Sequence, residues 1–108
     1  MMNAEIMPPV DADGYLVDPA QWTEAVAKGL ARSQSITLTA EHWDVLRFMR
    51  AFYDEHQVAA DARFVIRHLA ERHGERARAR LFELFPYGYP GQACKIAGMR
   101  KPRAWSTG

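Results

Sequence analysis

Cys94 is the single cysteine in 108 residues, and its thiolate would be the strongest nucleophile the chain can present. Lys95, Arg100, Lys101 and Arg103 follow it closely. Cations near a thiol lower its pKa, and a short helix starting near Gly91 would add to that if Cys94 lay in its first turn. In an apolar setting the same thiol is only a small buried hydrophobe. Cys94 is therefore the candidate catalytic residue, and one cysteine alone cannot close an internal disulfide. The histidines are His42, His56, His68 and His73. The last two are five apart, a poor spacing for two ligands on one helical face, and no Cys/His cluster has zinc spacing, so no metal is expected. Phosphate-cradling loops, dinucleotide fingerprints and nucleophile elbows are lacking, and no cofactor is expected.

The net charge of +1 conceals an asymmetry. Residues 1–62 hold 4 basic and 10 acidic side chains, and residues 63–108 hold 10 basic and 3 acidic. A basic half attracts anionic partners, unless the two halves simply neutralise one another in the fold. Arg76, Arg78 and Arg80 form a candidate face for nucleic acid or an acidic protein. The helices between Thr39 and Arg80 could supply a helix-turn-helix-like pair to carry it, or merely a solvated arginine face. Tyr87, Tyr89 and Trp105 flank the basic tail, and aromatic with basic residues suit a docking surface.

These residues need elements to position them. Ile6-Met7 and Tyr15-Leu16-Val17 flank Asp11-Ala12-Asp13-Gly14, which reads as a small β-hairpin. Asp18-Pro19 is a helix start, with Trp22, Val26 and Leu30 on one face and an end near Arg32-Ser33. Thr39 caps a second helix, the most apolar, carrying Trp43, Leu46, Phe48, Met49, Phe52 and Tyr53; Glu41, Asp44, Arg47, Arg50 and Asp54 fall on its wetter side. A third helix fits Ala60 to Arg72, ended by Gly74. A fourth runs from about Glu75 to Phe85, where Pro86 stops it. Gln92 to Ala97 forms one or two turns ended by Gly98, and the rest is an extended arm.

The length suits one domain, and nearly half the residues are hydrophobic, as in an ordinary globular core. No stretch approaches ~20 apolar residues and Met1 to Val10 is no secretory signal, so a cytoplasmic protein without a membrane partner is expected.

The chain resembles the DsrC/TusE family, the gamma-subunit-like proteins of dissimilatory sulfite reductase and their tRNA-thiolation relatives. Asp13-Gly14-Tyr15-Leu16, Trp22, the run Leu38 to Tyr53, Leu84-Phe85-Pro86, Gly91 to Met99 and Lys101-Pro102 carry the resemblance. It covers nearly the whole chain in order, and the segment from Cys94 to Pro102 is its most specific part. It implies a mainly α fold: a small orthogonal helical bundle in one domain, residues 1–108, with a short N-terminal β-hairpin and a flexible C-terminal arm from about 99 to 108. It also implies a sulfur-relay function, in which the arm docks to a sulfur-metabolism protein, a sulfite reductase or a sulfur-relay complex. Lys95, Arg100, Lys101, Arg103 and Trp105 would form the docking arm, on a monomer or weak dimer. Family members carry sulfur on arm cysteines. One matches Cys94; the essential acceptor lies shortly after the Lys-Pro pair, where this chain has Trp105 instead. An indole holds no persulfide, so any sulfurtransferase activity would fall to Cys94. The alternative is a non-catalytic regulatory paralogue that binds a sulfur-metabolism protein, or DNA through the helical pair.

Overall fold

Thr39 takes extended backbone angles and its hydroxyl accepts the His42 N–H, while the His42 ring accepts the Thr39 N–H in return. This reciprocal cap starts the longest helix. In the computed structural model, which describes residues 7–101, the helices are α1 (Glu24–Ser33), α2 (Ala40–His56), α3 (Ala62–His73), α4 (Ala77–Leu84) and the short α5 (Cys94–Ile96). Tight 3-10 turns occupy Pro19–Gln21 and Gly74–Arg76, and a π-helical turn, Tyr89–Ala93, leads into α5. No helix among the described residues is long and apolar enough to cross a membrane.

Val45, Leu46 and Met49 of α2 are fully buried, and each large apolar side chain withdrawn from water contributes about 1.5–3 kcal/mol. They share one cluster with Val26 and Leu30 of α1, Val65 and Leu69 of α3 and Leu81 and Leu84 of α4. The C-terminal segment enters the same cluster through Tyr89, Ala93, Cys94, Ile96, Ala97 and Met99. His42 ties two elements together: its Nε2–H donates to the Leu84 carbonyl at 2.8 Å, and its ring meets Phe85 edge-on. Two further histidines join α3 to α2, His68 to Asp44 at 2.8 Å and His73 to Glu41.

The expected β-hairpin is corrected by the structure to a single antiparallel bridge, Val10 to Leu16, with no sheet among the described residues. The turn itself forms: the Asp11 carboxylate accepts the N–H groups of Asp13 and Tyr15 at 2.8 and 3.0 Å, and Gly14 takes φ +90. Strands do not extend from it, because Pro8 and Pro9 have no N–H to give and a helical turn begins at Pro19.

The helix expected from Asp18-Pro19 is split. Asp18 caps only the turn Pro19–Gln21, Trp22 becomes extended, and Thr23 caps α1 afresh. The Trp22 indole is thereby freed from the helical face and reaches the C-terminal segment. Phe82 of α4 stands 43% exposed.

Candidate functional site

Gly88, at φ +102, turns the chain after Pro86-Tyr87, and the Tyr87 N–H is held by the Gln92 side chain at 2.9 Å. The π-helical turn and α5 then place Cys94 at the middle of a coiled segment that Gly98 closes. Gly98 has φ +78, and the Met99 N–H returns to the Cys94 carbonyl at 3.0 Å. A π-helical turn is rare and often marks a functional position.

Three side chains from other elements, and one of its own, clamp this segment. The Trp22 Nε1–H donates to the Ile96 carbonyl at 2.9 Å. Arg50 of α2 donates to the Ala97 carbonyl at 3.1 Å and to the Pro19 carbonyl at 2.9 Å, with its guanidinium 4.8 Å from the Trp22 ring centre. Tyr15 donates its hydroxyl to the Pro90 carbonyl at 2.9 Å, and the Lys95 ammonium lies 5.0 Å from the Tyr15 ring centre. Tyr89, on the segment itself, donates to the Ala60 carbonyl before α3. Charge-assisted bonds such as those of Arg50 are stronger than neutral ones, so this arginine staples the segment to the body.

Cys94 has no exposed surface. Burial pushes its thiol up to about 12, against a smaller downward pull from the Tyr89 hydroxyl beside it. Burial also raises Tyr89. Two of the basic neighbours that sequence proximity suggested as activators are engaged elsewhere, Lys95 over Tyr15 and Lys101 with Asp13 at 2.7 Å. The thiol of this conformation is thus a protonated core group rather than a poised thiolate.

An alkaline consequence follows. A native thiol near 12 keeps its proton where the unfolded one, near 9.0, has lost it, so stability is full below about pH 9 and falls between pH 9 and 12. Cys94 contributes a slope of up to about 1.4 kcal/mol per pH unit there. Denaturant unfolding at stepped alkaline pH measures it. Cys94→Ala is expected to make the fall shallower over that window, leaving the part that comes from the buried Tyr89 above about pH 10, and an unchanged slope would contradict the sealed thiol.

The arm residues divide. Met99 is 1% exposed and belongs to the core rather than to an exposed arm. Arg100 and Lys101 are exposed, and the Lys101–Asp13 pair ties this end of the segment to the N-terminal turn and holds the Asp13 carboxyl below its usual range. Arg103 and Trp105 lie outside the described residues. Tyr89 is buried and Tyr87 is 82% exposed.

The arginine face is also divided. Arg80 bonds Glu41 and Glu83, and Arg76 bonds Glu83 at 2.9 Å. Only Arg78 of the three makes no ion pair among the described residues. Trp22, Arg50, Tyr15 and Gly98 were not marked as site residues by sequence reasoning. Arg50 sits on the polar stripe of α2, and only its cation–aromatic and carbonyl contacts across chain-distant elements reveal its work.

Comparison with known proteins bears on this arrangement. The sequence profile of the DsrC-like proteins matches residues 3–104. The sulfurtransferase TusE of Yersinia pseudotuberculosis is 46% identical over 94 residues, covering 85% of this chain and 87% of its own. TusE of Pectobacterium atrosepticum is 45% identical over the same length, covering 85% of this chain and 86% of its own. Among solved structures, the oxidised gamma-subunit of dissimilatory sulfite reductase (DsrC) from Archaeoglobus fulgidus superimposes with a TM-score of 0.79 at 33% identity, covering 92% of each chain. DsrC from Allochromatium vinosum gives 0.75 at 37% identity, covering 90% of this chain and 88% of its own.

Proposed function

The chain belongs to the DsrC-like protein family, and from that premise we propose that it serves sulfur relay by docking its C-terminal segment to a sulfur-handling enzyme, with Cys94 as a structural thiol in the closed state. The observation that carries this is the seal: the only thiol is fully buried and held protonated, while Arg100 and Lys101 are presented at the surface just after it. Four anchors from the N-terminal turns, α2 and the segment itself fix the segment, which preorganises these two cations for a partner and lowers the entropy lost on docking.

Sulfur carriage by Cys94 requires the segment to open. The Cys94 thiolate would then attack the outer sulfur of a donor persulfide, take that sulfur and expel the donor thiolate. The two roles separate by mass spectrometry of the intact protein after incubation with a persulfurated sulfurtransferase. Docking alone predicts a stable complex with the sulfur enzyme and no gain in mass. A gain of about 32 Da for each sulfur, absent in Cys94→Ser, would establish carriage and overturn the docking-only role.

Binding of DNA through Arg76, Arg78 and Arg80 receives little support, because two of the three guanidinium groups are already neutralised by Glu41 and Glu83. A cytoplasmic location fits the sulfur-relay role.

A further inference from the structure

Part of the unpaired positive charge of the second half of the chain lies outside the C-terminal segment. On α3, Arg63, Ile66, Arg67 and Ala70 recur at three- and four-residue steps and so share one stripe. This stripe and the start of α4 line an open groove outside the C-terminal segment. Its floor is apolar: Ile66 and Ala70 are half-buried and Ala77 is buried. Its rim is mainly basic, with the exposed Arg63, Arg67 and Arg78 outnumbering Glu75. Arg63 pairs with Asp61 at 3.1 Å, while Arg67 and Arg78 make no ion pair among the described residues. Arg63 and Arg67 both lie over the Phe64 ring, at 5.8 and 5.7 Å from its centre, which steadies the two guanidinium groups on one side.

We propose that the groove between α3 and α4 is a second docking surface, for an acidic amphipathic helix of a partner protein. An apolar floor with a cationic rim is complementary to a helix carrying aliphatic residues on one face and carboxylates beside them. The stripe from Arg63 to Gly74 runs roughly 16 Å, the length of about three helical turns. A nucleic-acid strand fits the same groove poorly. Its sugars would cover Ile66, Ala70 and Ala77 without apolar matching. The inference does not depend on sulfur chemistry at Cys94.

The probe is a fluorescein-labelled helix-forming peptide with leucines on one face and glutamates on the other, followed by anisotropy with the full-length protein. A peptide of the same composition, with its leucines dispersed around the helix, is the comparison. The amphipathic peptide is expected to bind at least about tenfold more tightly than the dispersed one, and to weaken as salt is raised. Arg67→Glu and Arg78→Glu are each expected to cost about tenfold or more in affinity, while Lys28→Glu on α1 leaves it unchanged. Thermal melts confirm that the variants fold. Equal binding of the two peptides, no binding up to about 1 mM, or indifference to both substitutions would overturn the proposal. So would tighter binding of a DNA duplex that is lost in Arg67→Glu, or self-association of the free protein that the same substitution abolishes.

Discussion

Gly98→Ala is expected to destabilise the protein by roughly 2–5 kcal/mol, from strain at a left-handed position together with overpacking. Gly98 sits at φ +78, where an L side chain is strained whatever space it has. Here it has none. A methyl group at Gly98 would overlap Cδ1 of Trp22 and lie 2.9 Å from its Cγ and 3.0 Å from its Cβ. The indole cannot retreat cheaply, because its Nε1–H is committed to the Ile96 carbonyl and its ring faces Arg50. The melting temperature should fall by on the order of 10–25 °C, read by circular dichroism. Two causes are superimposed, and a cycle separates them. On a Trp22→Ala background the overlaps with Cδ1 and Cγ are gone and only a tight Cβ contact remains, so Gly98→Ala should cost little beyond the backbone strain, about 1–2 kcal/mol. Equal costs on both backgrounds would show that the indole does not confine this turn.

Cys94 in the native protein is expected to react with iodoacetamide at neutral pH at least about a thousandfold more slowly than an unfolded-chain thiol. The thiolate fraction alone supplies that factor, since the native thiol titrates near 12 and the ordinary one near 9.0. Lack of access to the sulfur slows the reaction further. The test has a built-in control, because unfolding in denaturant must restore the ordinary rate. Rapid labelling of the folded protein would show that the segment opens readily, and that would return Cys94 to the role of sulfur carrier. Addition of a sulfur-enzyme partner during labelling extends the experiment: protection that persists in the complex means docking leaves the seal closed, and acceleration means docking opens it.

The two experiments address one design from different sides. Gly98 and Trp22 hold the segment shut, and the shut segment sets the chemistry of Cys94. A loosened variant should therefore label faster as well as melt earlier, which links stability to reactivity in the same set of proteins.

Several features were legible in the residues because they depend on neighbours along the chain. Thr39 could be recognised as a cap and the apolar spacing from Trp43 to Tyr53 as a helix, since a cap and a helical face are both local. Asp18-Pro19 misled, because the cap competes with another one five residues on. Thr23 captures the longer helix, and Asp18 keeps a single turn. The hairpin was legible as a turn and not as a sheet, because ladder formation needs N–H groups that Pro8 and Pro9 lack.

The sequence by itself determined the family, most of the helices and the place of the single thiol. What only the tertiary structure decided is the state of that thiol and the allegiance of each arginine. A pKa depends on burial and on atoms brought from distant elements, here Tyr89 folded against the sulfur and the surrounding core. Arg50 and Arg80 look alike along the chain. Packing makes one a staple for the Cys94 segment and the other a partner of Glu41, and leaves Arg67 and Arg78 on the groove.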